Sequence, residues 1–150
     1  MDKINLAYAA VNARKFSYSP YSHFKTGAAL LTKSGKVYTG ANIENAAYSP
    51  TICAERTAVA KAVSEGNRDF TAIAVCGSGS GYCYPCGVCL QVMLEFVCAD
   101  EFVVLACKEN GEFTEHKLSE LLPLGFKLIF GTQKSPTEYD SAGLMREELS

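Results

Sequence analysis

The sequence lacks a basic run, a long apolar run and an even set of cysteines, and each absence excludes something. Its fourteen Lys and Arg residues are scattered along 150 positions, at a net charge of −2. With no stripe of positive charge, binding to a nucleic-acid backbone or an acidic membrane surface has no compositional support. The longest apolar runs are five to seven residues, far short of a membrane span. Met1-Asp2-Lys3-Ile4-Asn5 lacks the charged-then-apolar layout of a signal peptide, so a cytoplasmic protein is expected. There is no internal repeat and no low-complexity tract. Histidine is scarce: His23 and His116 have no ligand spacing to the cysteines and are expected at the surface or in ordinary hydrogen bonds.

What is present is enough for one domain. The chain is 48% hydrophobic and 20% charged, so it can bury a core and is not a disordered tail. It has seven cysteines. An odd count without an export signal argues against a disulfide scaffold and towards a reducing compartment, where clustered thiols bind metal and scattered ones are buried as small hydrophobes. Cys76, Cys98 and Cys107 lie in apolar stretches and are expected in the core. Cys53, Cys83, Cys86 and Cys89 do not fit that description.

The hydrophobic pattern orders the elements. Ile4, Ala7, Tyr8 and Val11 at helical spacing predict an amphipathic helix over 3–17, broken by Ser19-Pro20-Tyr21-Ser22. Apolar runs at 27–32 and 37–43 around Ser34-Gly35 predict a β-hairpin. Ser49-Pro50-Thr51 starts a second helix, with Thr51 as N-cap, a stripe of Val59, Ala62 and Val63, and an end near Gly66. A strand over 71–76, a helix over 86–98, a strand over 102–107 and a weaker strand from Gly111 complete the order. Strands alternating with single helices predict a mixed or mostly parallel sheet covered on both faces. Residues 1–130 read as one domain and 131–150 as a polar tail to which no role is assigned.

Two signals carry chemistry. Composition alone yields about half a C-x-E by chance, so Cys53-Ala54-Glu55 means little by itself. Pro85-Cys86-Gly87-Val88-Cys89 is expected at roughly one per cent, which is informative. Each signal falls at the predicted start of a helix, after a proline-containing turn. A helix N-terminus offers free N–H groups and positive dipole to a thiolate. Three thiolates from two such starts can hold Zn²⁺ with a position open to water, and a carboxylate two residues from a ligand can shuttle that water's proton. The spacing leaves two further readings open: a closed four-thiolate site that includes Cys83, and an iron–sulfur cluster on the C-x₂-C-x₂-C run.

Most of the chain, from the first helix to about Phe126, resembles the small, homotetrameric, three-cysteine cytidine deaminases. The resemblance rests on Pro20-Tyr21-Ser22-His23-Phe24, Gly27-Ala28-Ala29-Leu30, Asn42-Ile43-Glu44-Asn45-Ala46-Ala47-Tyr48, Cys53-Ala54-Glu55-Arg56-Thr57-Ala58 and Pro85-Cys86-Gly87-Val88-Cys89 with Gln91. It implies a three-layer α/β/α sandwich around a five-stranded mixed sheet, an α/β fold. It also implies hydrolytic deamination of cytidine and deoxycytidine, in pyrimidine salvage. Cys53, Cys86 and Cys89 would bind one Zn²⁺ per subunit, with Cys83 a bystander. Glu55 would take a proton from the water held there, deliver it to N3 of cytosine, and then relay a proton to the departing amino group. Ala54 would hold the base edge through its backbone, and Asn42 and Glu44 the ribose. Phe24 reads as a core aromatic whose counterpart also lines the nucleoside pocket. Ala46, Tyr48 and Phe126 would reach a neighbouring subunit's site. Arg56 would offset the thiolate charge, alone, because Leu90 stands where the family commonly has arginine. The alternatives are a deaminase of a bulkier cytosine compound such as a nucleoside antibiotic, and a non-catalytic zinc module closed by Cys83. Glu55 separates the catalytic readings from the structural one, which has no use for it.

Overall fold

A computed structural model describes residues 1–128. The tail expected over 131–150, and the last two positions of the expected domain, lie outside the described residues. The elements follow the predicted order. Helix α1 (Lys3–Ala13) runs into a single 3₁₀ turn, and strands β1 (Thr26–Thr32) and β2 (Val37–Ala41) form the hairpin. Helix α2 (Ala54–Ser64), strand β3 (Phe70–Gly77), helix α3 (Gly87–Phe96) and strands β4 (Val103–Cys107) and β5 (Phe113–Lys117) follow, then a one-turn helix α4 (Leu118–Leu121).

The five strands form one mixed sheet in the order β2-β1-β3-β4-β5. β3 and β4 are parallel, and the other neighbours are antiparallel. Alternation along the strands divides the core between the two faces. Ala28, Leu30, Ile73, Val75 and Val104 face α2 and α3. Ala29, Ala74, Cys76, Leu105 and Cys107 face α1. The result is the expected three-layer α/β/α sandwich.

Topology decides where the helix starts meet. β2 and β3 flank β1 and both run antiparallel to it, so they point the same way. Their carboxyl ends, Ala41 and Gly77, therefore lie at one edge of the sheet, opposite Gly27 and Thr26 of β1. The segments leaving these two ends lead into α2 and α3. Ligand sites in open α/β sheets form at such edges. Gly40 lets α2 sit close: a Cβ there would come within 2.3 Å of the Ala54 carbonyl oxygen. No other residue type permits that approach of helix start to strand.

Three local expectations give way. The buried face of α1 is Leu6, Ala7, Ala10 and Ala13, while Ile4 and Tyr8 are exposed. Small side chains let the helix lie close on the sheet, which bulk at Tyr8 would prevent. The N-cap of α2 is Cys53, not Thr51. Cys98 is exposed, whereas Cys76 and Cys107 are buried as expected. It follows the end of α3, where the chain turns out of the layer towards β4.

Candidate active site

The site begins at the two helix caps. Cys53 and Cys86 are the N-caps of α2 and α3, both in extended conformation, with φ −73° and ψ 158° for the first and φ −72° and ψ 165° for the second. Neither cap side chain closes on its own helix, so each sulfur is left for another partner. Cys89 lies one turn further along α3 and is fully buried. The three Sγ atoms are all within 4.8 Å of one another, and Cys53 and Cys86 are 3.9 Å apart. Tetrahedral zinc–sulfur bonds of about 2.3 Å place two sulfurs about 3.8 Å apart, so that pair already has the span a shared zinc requires. Cys83 is not part of this trio. Its amide donates to the Cys107 carbonyl at 3.1 Å, and burial pushes its thiol up to about 12.

The trio is electrically uneven. The Cys53 thiol is pushed down to about 5, first because Cys89 donates to it and then, against the cost of burial, because Arg56 does. Cys89 is pushed far up, by that same bond to Cys53 and by burial. Thiols bind zinc as thiolates, so metal binding to this trio releases protons. Arg56 reaches back from the first turn of α2. Its Nη2 donates to the Cys53 sulfur at 3.5 Å and to the Thr51 carbonyl at 3.2 Å. These thiolate bonds raise the guanidinium's own pKa further.

Glu55 is the other buried charge. It is 3% exposed, and its Oε2 is buried with no hydrogen-bond partner among the described residues. Burial, with the Cys53 charge adding to it, pushes the carboxyl up to about 7. A buried carboxylate oxygen without a partner costs roughly 1–3 kcal/mol or more, and native chains leave such atoms for a ligand. The soft sulfur donors, their spacing and this orphaned oxygen fit a zinc ion with a water or substrate beside it.

The sugar-side residues gather on a different segment. Asn42 and Glu44 lie just beyond β2, on either side of Ile43, which bridges to Tyr18 and Ile52. The Asn42 amide donates to the Phe24 carbonyl at 2.8 Å, and its Oδ1 accepts from Ser17 Oγ at 2.5 Å and from the Thr26 amide at 2.8 Å. Glu44 Oε2 accepts from the amides of Tyr21 at 2.9 Å and Ser22 at 3.2 Å, and Oε1 accepts from Ser22 Oγ. Those bonds, the Ser22 hydroxyl foremost, hold its carboxyl below the usual carboxylate range. Both residues thus face the 21–26 segment, as their i, i+2 spacing predicts. Phe24 is 45% exposed, which corrects its reading as a core residue: its ring edge lies over Gly77 at the end of β3 rather than inside a layer. Beside it, Tyr21, Ser22, Glu44, Asn45, Tyr48 and Thr51 line a cavity of about 450 Å³. A larger groove of about 840 Å³, bordered by Lys33, Asp69, Cys98 and Lys127, contains none of the expected site residues.

The residues expected to serve a neighbouring subunit point away from this chain. Ala46 is exposed, Tyr48 is 76% exposed at a positive φ of 61°, and Phe126 is 68% exposed. Gln91 of α3 holds the Phe126 carbonyl at 2.8 Å. Ala54 is buried at the helix start. Leu90 is buried in the layer between α3 and the sheet, a place where an arginine would need a partner of its own. His116 shares a 3.0 Å hydrogen bond with Thr114, as an ordinary polar histidine does. Ser22 enters the sequence reading only as part of the Pro20-Tyr21-Ser22-His23-Phe24 segment, and Ser17 has no part in it. Serine is common in turns, and only the partners Asn42 and Glu44 give these two a meaning.

Residues 2–106 match the family model of the cytidine and deoxycytidylate deaminase zinc-binding region. A cytidine deaminase of Halalkalibacterium halodurans is 52% identical over 126 residues, covering 84% of this chain and 95% of that protein. A cytidine deaminase of Sporosarcina psychrophila is 47% identical over 126 residues, covering 84% and 92%. Among solved structures, cytidine deaminase from Burkholderia pseudomallei superposes with a TM-score of 0.80 at 44% identity, over 84% of this chain and all of the other. The match takes in both helix starts that bring the thiols together, and the chain belongs to the cytidine and deoxycytidylate deaminase family.

Proposed function

We propose that the protein hydrolyses cytidine and deoxycytidine to uridine and deoxyuridine, releasing ammonia, in pyrimidine salvage. The relatives at 52% and 47% identity carry the name cytidine deaminase, and the observation in this chain that supports the chemistry best is the buried, unpartnered oxygen of Glu55 beside three clustered thiols. In this reading Cys53, Cys86 and Cys89 would hold one Zn²⁺ per subunit, which would lower the pKa of a bound water enough for attack at neutral pH. Glu55 accepts that water's proton and delivers it to N3 of the pyrimidine, which makes C4 electrophilic. The water's oxygen would bond to C4, and Glu55 would then take the second proton from the new C4 hydroxyl and pass it to N4, so that the C4–N4 bond breaks, ammonia leaves and the C4 carbonyl forms. A carboxyl whose pKa lies near 7 can both take and give a proton at neutral pH. Arg56 stabilises the thiolate form of Cys53, and so offsets the net −1 charge that three thiolates leave on Zn²⁺.

The remaining roles concern binding. The Ala54 backbone holds the base edge, Asn42 and Glu44 grip the sugar hydroxyls, and Phe24 covers the nucleoside. The exposure of Ala46, Tyr48 and Phe126 suits residues that complete the site of a neighbouring subunit in a homotetramer. Phe16 and Ile43, exposed beside a groove of about 250 Å³, add apolar area to such an interface. Among the described residues no helix is long and apolar enough to cross a membrane. All seven cysteines are free, which suits the reducing cytoplasm.

Ultraviolet monitoring of cytidine conversion tests the reading, with zinc-loaded wild type and Glu55→Gln side by side. Turnover in the first and almost none in the second is expected. Equal turnover in both would refute the role of Glu55, and an inactive wild type would refute the substrate.

A further inference from the structure

The turn that carries Phe24 contains a residue with two jobs. Ser22 Oγ donates to Glu44 Oε1 and accepts from the Phe24 amide at 3.0 Å. The Ser22 amide also reaches Glu44 Oε2, as does that of Tyr21. Between Ser22 and Phe24 stands His23 at φ 56°, a left-handed conformation that a side chain other than glycine adopts at a cost. Such a conformation persists where its surroundings over-determine it, and here the surroundings are the Glu44 carboxylate and the Ser22 hydroxyl. The far side of the turn is equally constrained. A Cβ on Gly77 would stand 2.6 Å from the tip of the Phe24 ring, so strand β3 has been cleared for that ring.

One hydroxyl therefore joins a carboxylate that faces the cavity to the backbone of the aromatic beside it. We propose that Ser22 is a positioning residue for sugar recognition: its hydroxyl bridge from Glu44 to the Phe24 amide aims the Glu44 carboxylate at the sugar hydroxyls, so its loss falls on recognition of the sugar and not on chemistry at the base. This rests on the assignment of Asn42 and Glu44 to the sugar. With Oε2 occupied by two amides and Oε1 by one hydroxyl, Glu44 keeps about one free lone pair, on Oε1, in a direction set by those three donors. Without the Ser22 hydroxyl, Oε1 loses its donor and the carboxylate can rotate.

The test is steady-state kinetics of the zinc-loaded full-length protein on cytidine and on 2′,3′-dideoxycytidine, which keeps the base and lacks both secondary hydroxyls. The wild type is expected to prefer cytidine in kcat/KM. Ser22→Ala is expected to shrink that preference by about tenfold, the worth of one charge-assisted hydrogen bond, with the loss in KM for cytidine rather than in kcat. Ser22→Thr restores the hydroxyl and is expected to recover most of the preference. Equal losses on both substrates, or a loss confined to kcat, overturn the proposal, because Ser22 would then only support the fold. If Ser22→Ala does not fold, Ser22→Cys takes its place, with a side chain of similar size, a weak donor and the same ratio as readout. A wild type that treats both nucleosides alike overturns the sugar assignment itself and this inference with it. A discriminating wild type whose ratio Ser22→Ala leaves unchanged overturns this inference alone.

Discussion

The two halves of the site are built on opposite terms. At the start of α2, polar atoms are buried without partners: Glu55 Oε2 and Arg56 Nε have none among the described residues. At the end of β2 the reverse holds, since Asn42 and Glu44 each engage three donors or acceptors on the 17–26 segment. The first half is unfinished without a ligand, and the second is complete before one arrives. A group that must move protons needs a free valence, whereas one that must recognise a shape needs a fixed orientation. Stability and activity should therefore separate between the halves.

The largest test of that separation is Glu55→Gln. Loss of a general acid–base group is expected to lower kcat by about 10²–10⁴-fold, while thermal unfolding of the metal-free protein shows no loss of stability, because a neutral amide is cheaper to bury than a carboxylate. A clear drop in Tm alongside the drop in kcat would break the comparison. Next comes Cys86→Ala, which should abolish stoichiometric zinc in a metal assay, and activity with it. An intact far-ultraviolet spectrum would show that the α2 and α3 starts stand without that thiol.

Arg56→Ala probes the same half more gently. It removes a donor to Cys53 without touching a ligand, and outer groups of this kind are worth about 10–100-fold in metal affinity or activity. Zinc competition with a chelator measures it. Unchanged zinc retention and turnover would leave Arg56 with only its bond to the Thr51 carbonyl.

Asn42→Ala should behave in the opposite way to Glu55→Gln. It strands the Thr26 amide and the Phe24 carbonyl, at a cost of about 1–3 kcal/mol, so Tm and KM for cytidine worsen together. The smallest effect is expected of Gln91→Ala. It frees the Phe126 carbonyl from α3 and should raise KM several-fold with kcat retained. A change in kcat but not KM would mean that Gln91 serves the adjacent Cys89 turn instead.

Legibility in the sequence followed the same division. Most of the order of elements could be read because β1, β3 and β4 are largely apolar runs and most connections hold proline, glycine or serine; β5, Phe-Thr-Glu-His-Lys, was the weak signal. Cys86 and Cys89 could be read because P-C-x-x-C is rare by composition. Ile4 and Tyr8 misled because the periodicity scale weighs bulk, and α1 packs instead through Leu6 and three alanines. Cys98 misled because it ends an apolar stretch at a point where the chain is leaving the layer. Phe24 misled because an aromatic after a turn usually packs inward, and here it lies over the glycine at the end of β3. The partners of Ser22 and Ser17 could not be read, since they lie 22 and 25 residues away.

What the sequence by itself determined was local: which residues form helices and strands, that thiols sit at helix starts, and that a glutamate follows one of them by two positions. These are properties of neighbours along the chain, set by side-chain periodicity and backbone preference. Only the tertiary structure decided that Cys53 meets Cys86 and excludes Cys83. It likewise decided that Glu55 loses its water, and that Asn42 and Glu44 close on the turn bearing Phe24. Those outcomes depend on β2 and β3 pointing the same way on either side of β1, a pairing across dozens of residues that no local preference encodes.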